Sequence, residues 1–267
     1  MKCKANHSQI STSLNFQIIK KMKKPNWKNI GIIVVVLGLL GYISFAIVKF
    51  SHKDDENICE KVVITVKDSA NLQFVSVKDI RNTLDESELK LVGLKFRKIK
   101  TRKVETILEK NPFIKNVECY KTPSGDLNID VWQREPLFRV YGLSRYYIDI
   151  DGKFLPISEH FVAYVPVVTG TVNKLFAITK LKDFVLYLRK NEFWNAQIEQ
   201  IDVDANNEIV LIPRVGDHEI ELGTLDDYQQ KLAKLKTFYL RGLNKIGWGD
   251  YKSISLKYKN QVVCTKK

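Results

Sequence analysis

Residues that hold metals or build covalent frameworks are scarce in this sequence. Its four histidines, His7, His52, His160 and His218, are scattered and share no ligand spacing, so no metal centre is expected. There are four cysteines, Cys3, Cys59, Cys119 and Cys264, and no Cys-x-x-Cys. Cys3 falls in a separate leader, which leaves three elsewhere, an odd number. A disulfide framework is not indicated, although one pair among the three is left open. Cys119 and Cys264 sit inside apolar strand patterns that suit buried free thiols. Gly-x-Ser-x-Gly, His-Glu-x-x-His and a phosphate-cradling glycine loop are all missing. That removes the commonest signatures of serine hydrolases, zinc proteases and nucleotide-using enzymes. No catalytic, cofactor or small-molecule site is expected.

Acid is missing from residues 1–28, where seven lysines stand (Lys2, Lys4, Lys20, Lys21, Lys23, Lys24 and Lys28). Those seven account for over half of the formal net charge of +13. The rest is spread among many Asp and Glu, with no basic–aromatic module, which argues against nucleic acid as a partner. Methionine occurs only at positions 1 and 22. Met22-Lys23-Lys24-Pro25-Asn26-Trp27-Lys28 reads as a normal short start, so translation is expected to begin at Met22, and the polar leader is expected to be disordered.

Charge is missing again from residues 29–48, NIGIIVVVLGLLGYISFAIV, which lie between Lys28 and Lys49. A helix of about 20 residues spans about 30 Å, the thickness of a bilayer's hydrocarbon core. Val34, Val35, Val36, Leu37, Leu39 and Leu40 make it apolar on every face. A cleaved signal peptide is the competing reading. The run exceeds the usual signal core of about 7–15 residues, and no small-x-small site precedes Ser51. Trp27 at one end and Tyr42 and Phe45 towards the other suit interfacial anchoring. Gly38, Gly41 and Ser44 share one face, but no Gly-x-x-x-Gly occurs, so ordinary membrane glycines are the simpler reading. The lysine-rich side is expected to stay in the cytoplasm and everything after Lys49 to lie outside it.

Residues 58–66 alternate loosely and are rich in β-branched side chains, as in a strand. Ser76 reads as the N-cap of a helix whose Val77, Ile80 and Leu84 share a face. Residues 89–99 read as a connector. Thr101 reads as the cap of a second helix, with Val104, Ile107 and Leu108 as its stripe and Asn111-Pro112 as its stop. Residues 113–120 form a strand, with Val117 and Cys119 on one side. After the turn Thr122-Pro123-Ser124-Gly125, Leu127, Ile129 and Val131 alternate with polar partners in a hairpin return. The order is strand, helix, helix, strand, strand. The run LEKNPFIKNVECYKTPSGDLNIDVWQREP resembles a POTRA domain, with Arg134, Glu135 and Pro136 at the place where that family closes. Arg134 and Glu135 themselves read as a solvated strand end beside a boundary proline. The resemblance implies an adaptor whose sheet edges accept an extended partner segment.

Strands are expected at 138–141 and 145–150, with Asp151-Gly152 as a tight turn into 153–157. A short extended run at 165–170 precedes a helix at 175–189, with Leu181, Phe184 and Leu188 on one side. Strands follow at 198–203, 208–212 and 218–222. A helix at 225–240 has Tyr228, Leu232, Leu235 and Tyr239 on one face, and a last strand runs over 253–263. Asp149 and Asp151, and Asp202 and Asp204, flank turns. Such pairs serve cell-wall hydrolases, but here they read as strand-end and turn chemistry.

The order of these parts over about residues 25–264 resembles the bacterial FtsQ/DivIB cell-division family. The segments that carry it are the basic leader with its single anchor, the Arg134-Glu135-Pro136 closure, YIDIDGKFLPI, VPVVTG, LGTLDDYQQKLAKL and SISLKYKNQVV. One departure is Ser255-Leu256-Lys257-Tyr258, where many relatives have Arg in an Asp-Leu-Arg-Tyr-like motif. The expected fold is α+β. It comprises a cytoplasmic leader (1–28), a single transmembrane helix (29–48), a linker (49–57), a POTRA domain (58–135), a mixed α/β domain with an antiparallel-rich sheet and two helices (136–264), and a tail (265–267).

The resemblance implies a non-enzymatic protein of the inner, cytoplasmic membrane at the division septum, with its bulk in the periplasm. It implies binding to single-span division proteins of the FtsB and FtsL type and a link to septal peptidoglycan synthesis. The alternative reading is a POTRA adaptor for outer-membrane assembly or secretion, for which no downstream β-barrel pattern is present. The candidate partner site is the last strand, whose free side has no neighbour: Tyr251, Ser253, Ile254, Ser255, Leu256, Lys257, Tyr258 and Lys259, with Tyr251 and Tyr258 as aromatic anchors. A plain edge protected by its lysines is the competing reading. The chain stops four residues after Val263, so no tail is expected to add contacts there.

Overall fold

The computed structural model describes residues 27–51, 57–67, 70–142, 144–243, 247–259 and 261–267. The expectations for the leader before Trp27, for its start at Met22, and for the charged stretch 52–56 lie outside the described residues. Two units are separable, Met1–Asn57 and Ile58–Lys267.

In the first unit, helix α1 (Trp27–Ser51) runs for 25 residues. Its side chains are described from 31 to 47, and all but one of these residues are exposed, Leu37 at 62% and Leu39 at 54% among them. Among the described residues no helix is long and apolar enough to cross a membrane.

The second unit begins with β1 (Lys61–Val66), α2 (Val77–Glu86), a 3-10 turn (Phe96–Lys98), α3 (Thr101–Leu108), β2 (Ile114–Lys121) and β3 (Asp126–Gln133). This is the strand-helix-helix-strand-strand order read from the sequence. The sheet order is β1-β3-β2, with β1 parallel and β2 antiparallel to β3. Ser76 caps α2 as expected. Its Oγ accepts from the Asp79 amide at 3.2 Å, and its own amide donates to Asp79 Oδ2 at 2.9 Å, a closed capping box. The Ser76 hydroxyl, which donates to Asp79 Oδ2 at 2.7 Å, and then the Ser76 amide hold the Asp79 carboxyl below its usual range. Thr101 does not cap α3: the cap position belongs to Lys100, which makes no side-chain bond, and Thr101 is the first helical residue. Ile80, Leu84, Val104 and Leu108 bury the helices' inner faces against Val117, Leu127, Ile129 and Val131 of the sheet.

The rest of the chain builds β4 (Pro136–Tyr141), β5 (Arg145–Asp149), β6 (Phe154–Leu155), β7 (Val167–Gly170), β8 (Ile198–Val203), β9 (Ile209–Pro213), β10 (Glu219–Gly223), β11 (Tyr251–Ser255) and β12 (Val263–Lys266). They form one nine-stranded sheet in the order β12-β11-β10-β9-β8-β7-β4-β5-β6. Antiparallel pairings outnumber parallel ones, which occur only at β4–β7, β7–β8 and β10–β11. The helices are α4 (Lys174–Phe176), a π turn (Ala177–Leu181), α5 (Lys182–Lys190), α6 (Glu192–Gln197) and α7 (Tyr228–Phe238), which a second π turn (Tyr239–Leu243) extends. Two helices were expected. The first is interrupted by the π turn, and α6 is additional, started by Asn191, whose Oδ1 accepts from the Trp194 amide at 3.4 Å. Phe184, Leu188, Trp194, Leu232, Leu235 and Tyr239 pack with Phe138, Val168, Ile201, Leu211 and Ile254 in one core.

Packing continues across residues 135/136. Tyr147, Leu155 and Ala163 from the later strands and loop belong to the first core, and the Tyr147 ring meets Phe74 edge-on at 5.9 Å.

Candidate functional site

The site read from the sequence maps onto the end of the large sheet, with a correction. No single strand runs over 253–263. β11 stops at Ser255, a turn follows, and the chain returns as β12. β11 is paired on both sides. Ser253 and Ser255 face Glu219 and Glu221 of β10 in parallel register, and Thr265 and Val263 of β12 in antiparallel register. The outermost strand is therefore β12, with β11 as its only neighbour among the described residues.

The expected side-chain alternation fails past Leu256 for a physical reason. Ile254 and Leu256 are buried, and the Leu256 amide still donates to Glu221 O at 2.9 Å. Lys257 then turns aside, its Nζ 2.5 Å from Glu208 Oε2, and that carboxylate raises the Lys257 ammonium above its usual value. Tyr258 is 55% exposed, and Lys259 is exposed beside it.

The site residues fall into three groups. Tyr251, Ile254, Ser255 and Leu256 belong to the sheet and its core. Tyr251 is half-buried with its ring 6.3 Å from Phe238, and Ser255 Oγ is buried without a hydrogen-bond partner. Ser253 is half-buried. Lys257, Tyr258 and Lys259 form the rim. The residues that sequence reasoning missed are Val263, Cys264, Thr265 and Lys266. The polar run Lys259-Asn260-Gln261 is the turn signal that pointed to them. A strand of four residues offers about 13 Å of backbone along its open side. Val263 is 39% exposed there. The half-buried Cys264 thiol is free and raised above its usual value by burial.

An aromatic cluster stiffens this end of the sheet. His218, buried at the start of β10, has Nε2 2.7 Å from Tyr239 Oη, and Nδ1 has no partner. Trp248 packs against Tyr239 at 4.9 Å. Burial lowers the His218 pKa and raises that of Tyr239. Lys267 Nζ reaches Asp217 Oδ2 at 3.1 Å, which ties the strand after the turn back to the loop before β10.

The junction residues are not a solvated strand end. Arg134 is 20% exposed and pairs with Asp149, which is 1% exposed, at 3.0 Å. Asp149 Oδ1 also accepts from the Asp151 and Lys153 amides at 2.9 and 2.7 Å. Glu135 pairs with Arg189 of α5, and Pro136 opens β4, buried. Asp151 pairs with Lys115 at 2.8 Å, which holds its carboxyl below the usual range. Asp202 accepts from Thr169 Oγ1 at 2.5 Å, and Asp204 Oδ1 accepts from the Asn206 and Glu208 amides at 2.8 Å each. All four carboxylates considered for acid–base work are thus held in structural bonds. Among the described residues no group of three or more His, Cys, Asp or Glu is arranged to hold a metal ion.

Comparison with known proteins gives matches to two family models. Residues 57–132 match the model of a POTRA-like domain. Residues 135–265 match the model described as FtsQ/DivIB, C-terminal related. The chain is 21% identical over 210 residues to the cell division protein FtsQ of Geotalea daltonii, covering 73% of this chain and 75% of that protein.

Proposed function

Because the chain belongs to the FtsQ/DivIB family, we propose that it is a non-enzymatic division protein. In this reading it binds single-span partners of the FtsB and FtsL type at the open side of β12, and through them couples septum formation to septal peptidoglycan synthesis. The observation that carries this is the unpaired outer side of β12, within the region that matches the C-terminal family model. An extended partner segment laid along it gains backbone hydrogen bonds, and the exposed Tyr258 and Val263 offer apolar contacts beside them.

The same reading places α1 in the cytoplasmic membrane, with its N-terminus inside and residues 58–267 in the periplasm. The uncharged run 29–48 and the lysine-only leader support this.

The test is co-purification of the full chain from membranes. Thr265→Pro removes a backbone donor in β12 and is expected to lower recovery of the partners at least about ten-fold. Unfolding at the parent temperature shows whether the variant stays folded, and Tyr258→Ala tests the same surface without touching the backbone. Undiminished recovery with both variants folded refutes the site.

A further inference from the structure

The segment 89–103 of the first module holds apolar side chains that the core leaves exposed. Leu91, Phe96 and Ile99 are buried and pin it to the core. Between them Val92 is 59% and Leu94 37% exposed, on either side of Gly93 at φ +83°. Ile58, 54% exposed, joins them. It bridges to Lys95, while the Cys59 amide donates to Leu94 O at 2.9 Å and the Gly93 amide to Cys59 O at 2.8 Å. Three apolar side chains thus stand out from one tightly bonded corner.

The corner lies within a basic stretch of the chain. Lys90, Lys95, Arg97, Lys98, Lys100, Arg102 and Lys103 lie in the segment, with no acid between Glu88 and Glu105. Two acids of adjoining elements, Glu60 and Asp85, line a groove with Lys90 and Val92, and Arg102 pairs with Glu105 at 3.4 Å, so the cations still outnumber the acids there. Exposed apolar groups ringed by lysine and arginine match an anionic bilayer: the charges meet headgroups while the apolar tip enters the interface. An acidic protein surface would satisfy the charges but would not need the apolar tip.

We propose that the corner formed by Ile58, Val92 and Leu94, with its basic surround, docks on anionic phospholipid headgroups. The inference rests on the membrane anchorage proposed above. In that reading the chain from Ser51, where α1 ends, to Ile58 reaches about 25 Å at most, which keeps the patch within that distance of the helix end. Docking there would limit the directions in which the module presents its sheet edges.

The test uses the full chain in lipid nanodiscs, with and without phosphatidylglycerol, at low and high salt. Amide hydrogen exchange is read over residues 91–95. Phosphatidylglycerol is expected to slow exchange at least about five-fold, and high salt is expected to reverse this. The pair Lys98→Glu and Lys100→Glu is expected to abolish the effect, as is the pair Val92→Ser and Leu94→Ser. All four side chains are exposed, so unchanged thermal midpoints serve as the folding control. Equal exchange in both lipids, or equal protection by polyglutamate without lipid, overturns the proposal. A chain that fails to enter the discs refutes the anchorage instead, and sedimentation of that chain with preformed anionic and neutral vesicles then decides the patch: no preference for anionic vesicles overturns it.

Discussion

Arg134 and Asp149 meet at 3.0 Å across the seam between the two modules, and the Asp149 side chain is 1% exposed. The arginine directly follows the first module's last strand, and the aspartate ends β5 of the second. A buried carboxylate without its counter-charge is costly, even when backbone amides serve its other oxygen. Arg134→Ala is expected to destabilise the second unit by about 2–3 kcal/mol. Adding Asp149→Asn should return part of that loss, with a coupling energy of about 1 kcal/mol or more. Urea unfolding of the four members of the cycle measures it, and additive effects would refute a role for the pair.

This pair also marks the limit of what the sequence discloses. Period and turn chemistry announced the first module: the Ser76 cap, the Pro123-Ser124-Gly125 turn and the Leu127-Ile129-Val131 face all stand as read. The Arg134 bond joins residues fifteen apart whose local pattern says only strand end. The last strand misled for a different reason. Alternation runs on through Tyr258 and Val262, but the Leu256 amide bond to β10 and the Lys257–Glu208 pair turn the chain before the pattern ends. The candidate edge therefore shifted by one strand, from β11 to β12.

His218 gives the fold a pH dependence of known sign. Burial lowers its folded pKa below the ordinary 6.5. Below about 6.5 the unfolded chain takes up a proton that the folded chain resists. The stabilisation is therefore full above pH 6.5 and declines as pH falls towards the lowered folded value. His218→Gln is expected to cost about 1 kcal/mol at neutral pH, by weakening the bond to Tyr239, and to flatten the slope. Urea midpoints are best compared above about pH 5, where ordinary carboxylates stay ionised. An unchanged slope in the variant would assign the effect to another group.

Tyr251 and Tyr258 were both expected to act as partner anchors, and the structure separates them. Tyr251 is half-buried against Phe238, whereas Tyr258 stands 55% exposed in the turn. Tyr251→Ala is expected to lower stability by about 1–2 kcal/mol through lost packing. Tyr258→Ala should leave the melting temperature within about a degree and reduce partner recovery at least about ten-fold, as loss of an exposed aromatic anchor does. Loss of binding from Tyr251→Ala alone, in a protein that stays folded, would reverse the assignment.

Gly170 and Gly93 share a backbone conformation but not a neighbourhood, which allows strain and contact to be weighed apart. Both have positive φ, +85° and +83°. At Gly93 a methyl group would meet nothing within 4 Å, whereas at Gly170 it would lie 2.1 Å from the Val203 carbonyl oxygen. That oxygen accepts from the Thr171 amide at 2.8 Å, in the pairing of β7 with β8 at the centre of the sheet. Gly93→Ala carries only the conformational penalty, about 1–2 kcal/mol. Gly170→Ala must also push two central strands apart, so a loss above about 3 kcal/mol or failure to fold is expected. Thermal unfolding of the two variants side by side checks the difference, and equal losses would mean that the close approach at Gly170 relaxes without cost.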